Sequence, residues 1–333
     1  MNVAMSRLSP AAPRKLARQP QDLIFRDLFY ELEGFSERAR VIAKLEGFNI
    51  TGSIKIKTAL ALLDDAERLG GAVPGKTTIV ESSSGNLGVA LSCACQQRGY
   101  RFICATDPSM SRSNLLAMRA YGAQIVSVSE PHPVEGFVGA RIARVRQIVL
   151  EEPDCLWLNQ YANPANKGVH ARETAREILA HIPRPDWLVL GVGTSGTFMG
   201  CAEVFRRESP STRLVAVDPV GSVIFGGPAG VRRIPGLGGG RVPELLDTTL
   251  PDQVIQVEER ETIRACRHIA RNYSLLLGGS SGTVLAAVRA LESQFQDGQT
   301  VVVIAPDTGD KYLDTIYDDD WVIDHYGALP TGY

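Results

Sequence analysis

The chain has 333 residues, 44% of them hydrophobic and 22% charged, enough to bury a large core in a two-lobed unit or in two domains. A formal net charge of −2 excludes a global field for drawing in nucleic acid or an anionic membrane, so an anionic ligand has to be met by local groups. No apolar run reaches the length of a membrane span, and the six scattered cysteines (Cys93, Cys95, Cys104, Cys155, Cys201, Cys266) lack the spacing of a metal site; they read as buried thiols of a cytoplasmic protein.

Residues 1–20, rich in Ala, Pro and Arg and without an acid, read as a disordered arm in preference to a transit peptide. Asn49-Ile50-Thr51-Gly52-Ser53-Ile54-Lys55 is then a tight small-residue turn whose lysine heads a helix over 56–66. A strand over 77–80 runs into Glu81-Ser82-Ser83-Ser84-Gly85-Asn86-Leu87-Gly88 and a helix over 88–98. Strands follow over 101–105 and 124–128, with helical stretches over 113–121 and 138–145. The Asn- and Pro-containing residues 159–166 suit a crossing between lobes. Strands over 187–190, 214–217 and 301–305, and helices over 198–205 and 283–291, complete the pattern, and Asp318-Asp319-Asp320 reads as a solvated tail. Such alternation predicts an α/β fold, doubly wound on largely parallel sheets, with ligands beyond the carboxyl ends of the strands.

Gly193-Thr194-Ser195-Gly196-Thr197, between a strand and a helix, has the makings of a phosphate cradle, because small residues let successive N–H groups converge on an anion at a helix N-terminus. Gly191-x-Gly193-x-x-Gly196 with Asp218 after the next strand also fits a dinucleotide fingerprint, so a nicotinamide enzyme is a rival reading. That fold has no use for the other three small-residue clusters, at residues 49–55, 81–88 and 277–282.

Taken together, the four clusters resemble those of the cysteine synthase (O-acetylserine sulfhydrylase) family of fold type II pyridoxal 5'-phosphate (PLP) enzymes, from about Asp22 to Asp320. The resemblance implies two α/β lobes with PLP in the cleft: residues 48–162 as the substrate lobe, and 21–47 with 163–325 as the lobe that holds the cofactor phosphate. It implies an internal aldimine on Lys55, Asn86 at the ring hydroxyl, Gly193, Thr194, Ser195, Gly196 and Thr197 around the phosphate, and Ser280 at the pyridine nitrogen. Ser83, Ser84, Gly85, Asn86 and Leu87 would take the substrate carboxylate, and Gln160 and Tyr161 would line the cavity. A homodimer acting on small amino acids is expected, with no metal, nucleic acid or membrane partner.

The chemistry suits these residue types. A lysine of ordinary pKa, about 10.4, is a poor base near neutrality, and burial depresses that value. At a helix start a lysine is disfavoured by the dipole, so an ordinary surface lysine is the weaker explanation of Lys55. A hydroxyl at the ring nitrogen makes the ring a weaker electron sink, which favours β-elimination to an aminoacrylate followed by β-addition of a nucleophile.

Ile56-Lys57 after the lysine, Leu87 in the carboxylate loop and Tyr161 depart from common cysteine synthases. The set Ser53-Ile54-Lys55-x-Lys57, Ser82-Ser83-Ser84-Gly85-Asn86, Gly193-Thr194-Ser195-Gly196-Thr197 and the ending Asp307-Thr308-Gly309-Asp310-Lys311-Tyr312-Leu313-Asp314 more closely resembles the branch that forms 2,3-diaminopropionate for siderophores by joining O-phosphoserine and glutamate. Such substrates call for cations. Arg141 is the leading candidate, Lys57, Arg232 and Arg233 are weaker ones, and His170, with no visible partner, reads as structural. Cysteine synthesis with sulfide and a catalytically silent binding protein remain the alternatives.

Overall fold

The computed structural model describes residues 16–331, so most of the 1–20 arm lies outside the described residues. In chain order the elements are β1 (Phe29–Glu31), β2 (Arg40–Leu45), α1 (Lys55–Arg68), β3 (Thr78–Ser82), α2 (Asn86–Arg98), β4 (Arg101–Thr106), α3 (Arg112–Ala120), β5 (Gln124–Ser127), α4 (Gly136–Glu151) and β6 (Cys155–Trp157). They continue with α5 (Pro164–Val169), a π-helical turn (His170–Thr174), α6 (Ala175–His181), β7 (Trp187–Gly191), α7 (Gly196–Glu208), β8 (Arg213–Pro219), β9 (Gln253–Val257), α8 (Glu259–Tyr273), α9 (Gly279–Ala290), β10 (Thr300–Ala305) and α10 (Asp319–Tyr326).

The strands form two sheets. The smaller, in the order β5-β4-β3-β6, is wholly parallel. The larger, β1-β2-β10-β7-β8-β9, is parallel except for β1, which runs antiparallel to β2. Val301 pairs with Val41 on one side and Trp187 on the other, so β10 is central, and its run of Val and Ile is buried on both faces as a covered parallel strand requires.

Each sheet is sandwiched by helices. α8 and α9 cover one face of the large sheet, and α6 and α7 the other. α1, α2 and Met118 of α3 cover one face of the small sheet, and Val145 and Ile148 of α4 the opposite one. Among the described residues no helix is long and apolar enough to cross a membrane.

Strand order fixes where a ligand sits. β3, β4 and β5 step outward in one direction and β6 then returns to the other side of β3; likewise β7, β8 and β9 step outward and β10 returns to the other side of β7. A crevice opens at each reversal, beyond the carboxyl ends of the strands. The loops at these two crevices are residues 83–85 and 158–163, and residues 192–195 and 306–311.

The sequence reading misses four strands. β1 and β6 have three residues each, β2 is interrupted by the buried Lys44, and β9 is an edge strand that alternates between half-buried and exposed residues. The Asp318–Asp320 segment is solvated, with Asp319 and Asp320 exposed, but it is a helix start and not a tail: Asp318 caps α10 by accepting from the Trp321 N–H at 2.6 Å, and Asp319 pairs with Arg267.

Candidate active site

Lys55 is the first residue of α1, set there by a turn in which Gly52 takes a left-handed φ of 67°. Asn49 pins that turn: its Nδ2 donates to the carbonyls of Glu46 and Ser53 at 2.8 and 2.9 Å, and its Oδ1 accepts from the Thr51 N–H at 2.9 Å. The Ile54 N–H bonds the Pro306 carbonyl at 2.7 Å, tying the lysine turn to the loop after β10. Lys55 keeps part of its surface open to the cleft, and its Nζ lies 3.5 Å from Thr194 Oγ1 of the loop after β7. Desolvation lowers its pKa to about 8.

The loop after β3 is spent largely on itself. Ser83 Oγ accepts from the N–H groups of Gly85 and Gly88 at 3.2 and 3.0 Å and so caps α2, while Ser84 Oγ faces Asp107 and Arg141. Leu87, expected near the substrate, instead turns its side chain into the core with Ile79 and Phe102 and is 2% exposed. What this loop offers an anion is therefore the free N–H groups of the first turn of α2, with no serine hydroxyl or Leu87 side chain. Asn86 leans the other way: its Nδ2 donates to Asp307 Oδ2 at 2.8 Å and its Oδ1 accepts from Lys311 Nζ at 2.7 Å.

In the loop after β7, Ser195 takes a left-handed φ of 63° immediately before α7 and turns its hydroxyl to the Thr194 carbonyl. Gly193 and Gly196 have no room for a side chain: a Cβ would come within 3.0 Å of the Gly236 carbonyl at the first and 2.3 Å of Asn166 Oδ1 at the second. Ser280, buried in the first turn of α9, lies against the same Gly236, where a Cβ would meet its Oγ at 2.3 Å.

Gln160 and Tyr161 follow β6. Gln160 Nε2 donates to the Ser82 carbonyl at 3.0 Å, and its N–H goes to the buried Glu81, whose carboxyl desolvation pushes up to about 7. The Tyr161 phenol is likewise pushed up by burial, against the pull of the Arg141 and Arg241 charges. Arg141 is 7% exposed and its NH1 pairs with Asp107 at 2.6 Å, so it is a built part of the site wall.

The weaker cation candidates are not gathered with Arg141. Lys57 is buried away from the cleft against Glu46 and Glu177. Arg232 donates to the Leu237 carbonyl, and Arg233 is exposed. Asp218 is buried at the end of β8, where desolvation raises its pKa to about 6. His170 has partners after all, in Thr58, Thr174 and Thr197.

A profile of the pyridoxal-phosphate dependent enzymes matches residues 23–307. The chain belongs to this family. Its cofactor is PLP, and it is a transferase of the β-replacement type. An N-(2-amino-2-carboxyethyl)-L-glutamate synthase of Ralstonia nicotianae is 44% identical over 286 residues, 86% of this chain and 84% of the relative. Another of Cupriavidus metallidurans is 41% identical over 305 residues, 88% and 89% of the two chains. Among solved structures, a lysine-to-alanine mutant of O-ureido-L-serine synthase with O-ureido-L-serine bound has a TM-score of 0.86 at 30% identity, covering 96% of this chain and 100% of that one. The O-acetylserine-dependent cystathionine β-synthase of Helicobacter pylori has a TM-score of 0.85 at 28% identity, covering 92% and 100%.

The residues present fit PLP. A desolvated amine stands beside a glycine-walled, helix-capping loop of the kind that holds phosphate, and an amide and a buried hydroxyl face the same cleft from other loops. One measurement follows from the amine. Attachment of PLP at this amine would need its neutral form, so the loading rate of cofactor-free enzyme is expected to rise with pH and level off above about 8. A rate still climbing at pH 10 would show that the amine is not desolvated.

Sequence reasoning overlooked Glu81, Asp107, Asn166 and Arg241. Glu81 and Asp107 stand directly at or after strand ends, where an acid in an apolar run is the available signal. Asn166 belongs to the Asn-Pro stretch read only as a crossing. Arg241 follows Gly238-Gly239-Gly240, a loop whose glycines already call for close approach to something.

Proposed function

We propose that this enzyme joins O-phospho-L-serine to the amino group of L-glutamate, releasing phosphate and forming N-(2-amino-2-carboxyethyl)-L-glutamate, a 2,3-diaminopropionate precursor for siderophore assembly. The observation that carries the reading is the pair Arg141 and Arg241, whose charges both act on the Tyr161 phenol where sulfide addition needs no cation, in a chain more than 40% identical to synthases of that name. Arg241 sits between Glu135 and Glu244, at 3.8 and 2.5 Å, on a glycine-rich loop, so an incoming carboxylate exchanges with a pairing already in place.

When bound, PLP withdraws electrons from the amino acid and makes its α-proton and β-substituent labile. Lys55 Nζ takes that proton and returns it to the same carbon once the new C–N bond has formed. With a pKa of about 8, roughly a quarter of the amine is neutral at about pH 7.5, against about a thousandth at the usual value. The first-turn amides of α2 hold the α-carboxylate, and Asn86 is oriented by Asp307 and Lys311. Ser280 offers a neutral hydroxyl to the ring.

The test is competition. Purified holoenzyme given O-phosphoserine, glutamate and sulfide together is expected to yield the glutamate adduct by mass spectrometry. Cysteine as the main product would overturn the reading in favour of cysteine synthesis. For the donor substrate, Tyr161→Phe is the cleaner probe, because any change at Arg141 strands the buried Asp107. It should raise the KM for O-phosphoserine about 2- to 10-fold with kcat retained, the worth of one hydrogen bond. An unchanged KM would show that Tyr161 only packs.

A further inference from the structure

Behind the phosphate loop lies a set of buried polar groups whose hydrogen-bond directions can be fixed one by one. Asn166 is fully buried against Gly196. Its Nδ2 lies 2.7 Å from the Gln160 carbonyl, which can only accept, and this settles which end of the amide carries the protons. The second N–H then falls to Thr194 Oγ1 at 3.2 Å, and Oδ1 accepts from Thr58 Oγ1 at 3.2 Å. That spends the only proton of the Thr58 hydroxyl.

His170, also fully buried, places Nε2 3.2 Å from both Thr58 Oγ1 and Thr197 Oγ1, and Nδ1 3.0 Å from Thr174 Oγ1. Toward Thr58 only the imidazole can donate, so Nε2 carries the proton. Burial, with Lys55 and Lys57 nearby, keeps the ring from taking a second one. Nδ1 is left as an acceptor for the Thr174 hydroxyl.

The consequence lies at the cradle. Thr194 Oγ1 receives an N–H from Asn166 and faces Lys55 Nζ, while Thr197 Oγ1 shares the single Nε2–H of His170 with Thr58 Oγ1, both oxygens lying 3.2 Å from Nε2. Both hydroxyls accept from the protein and keep their own protons. We propose that Asn166 and His170 are positioning residues: a one-way chain of donors, with His170 as the neutral Nε2–H tautomer, leaves the Thr194 and Thr197 protons to be donated to the cofactor phosphate. This rests on residues 193–197 being the site of that phosphate. What the loop itself offers the anion is amides and hydroxyls, and a hydroxyl turned the wrong way presents a lone pair to it.

The test reads the proton itself. In holoenzyme labelled with 15N-histidine, the ring resonance lost in His170→Gln is expected to show the Nε2–H pattern and no titration through the neutral range. An Nδ1–H pattern, or a ring titrating like free imidazole, would overturn the proposal. His170→Leu should weaken PLP binding about 10- to 100-fold, measured by titrating cofactor-free protein, while His170→Gln, whose amide nitrogen reaches the Nε2 position, should keep most of it. Leu binding as tightly as wild type would also sink it. Should the Leu variant not fold, the wild-type tautomer decides alone. Thr197→Val should lose affinity to the same degree; unchanged affinity there, with the tautomer as expected, would instead unseat the loop as the phosphate site.

Discussion

Lys55→Ala is expected to lower turnover at least about 1,000-fold while leaving the protein folded. The rate loss follows from the two tasks that the proposed function puts on one nitrogen, holding PLP covalently and moving the α-proton, for which the described residues of the cleft offer no second free amine. Lys311, the other cleft ammonium, is already committed to the Thr51 carbonyl and Asn86 Oδ1 at 3.0 and 2.7 Å. Stability moves the other way. Lys55 makes one long contact, at 3.5 Å, and its pKa is depressed, so the folded state at neutral pH either strips a proton from this amine or holds the charge poorly solvated. Alanine removes that cost, and the melting temperature of the cofactor-free variant should equal or exceed the wild type's. Two further readings separate the roles. After borohydride reduction the wild type should carry PLP on Lys55 and the variant none, and a small primary amine added to the variant should restore part of the proton transfer. Activity above about 1% without added amine would show that another group moves the proton.

The parts of the fold that were legible in the sequence are those where burial on both sides makes a pattern. The runs that become β3, β4, β7, β8 and β10 are continuous and β-branched because each strand is covered on two faces. β9 and β6 lie at sheet edges and lack that pressure. Lys44 is the more instructive miss. A lysine in an apolar run argues against a buried strand, and it sits fully buried in β2 only because Glu46 and Glu177 meet it from the next loop and from α6. No local signal carries that partnership.

The site was legible to the extent that it is built from backbone. Gly193, Gly196 and Lys55 stand out because a cradle needs small residues and a buried amine needs a turn. Side-chain direction was not legible. Leu87 and the Ser84 hydroxyl share a loop with Asn86, yet one packs in the core, one faces Asp107 and only Asn86 reaches across to Asp307. His170 looked isolated because two of its three partners are 112 residues upstream and 27 downstream, and the third, Thr174, is an ordinary helix neighbour.

Lys57→Met should cost about 3–5 kcal/mol, the usual penalty for removing one member of a buried ion pair. Lys44 and Lys57 face Glu46 and Glu177 at 2.7 to 3.1 Å, and none of the four side chains is more than 10% exposed. These four charges cancel, and Arg26, 54% exposed, adds only a long contact to Glu177 at 3.9 Å. The group of four fastens the first turn of α1, two residues past Lys55, to the end of β2 and to α6. Methionine fills similar space but leaves two carboxylates sharing one ammonium, and for a chain of this size the melting temperature should fall by roughly 4–7 °C.

The pH dependence identifies the cause. In the wild type, burial favours neutral Glu177, but Lys57 and Lys44 outweigh it and hold its pKa down; that contribution is present above the ordinary carboxylate value and lost in acid. Lys57 is desolvated too, yet Glu46 and Glu177 raise its pKa, so its contribution is present below its ordinary value and lost only in strong base. The neutral range is therefore flat for the wild type. In the variant Glu46 and Glu177 share the Lys44 ammonium and their combined charge is under-compensated, so a folded carboxyl pKa rises; the deficit should grow as pH rises from about 5.5 to about 8, and Glu177→Gln added to Lys57→Met should recover much of it. A deficit equal at both pH values and untouched by the second change would assign the loss to packing.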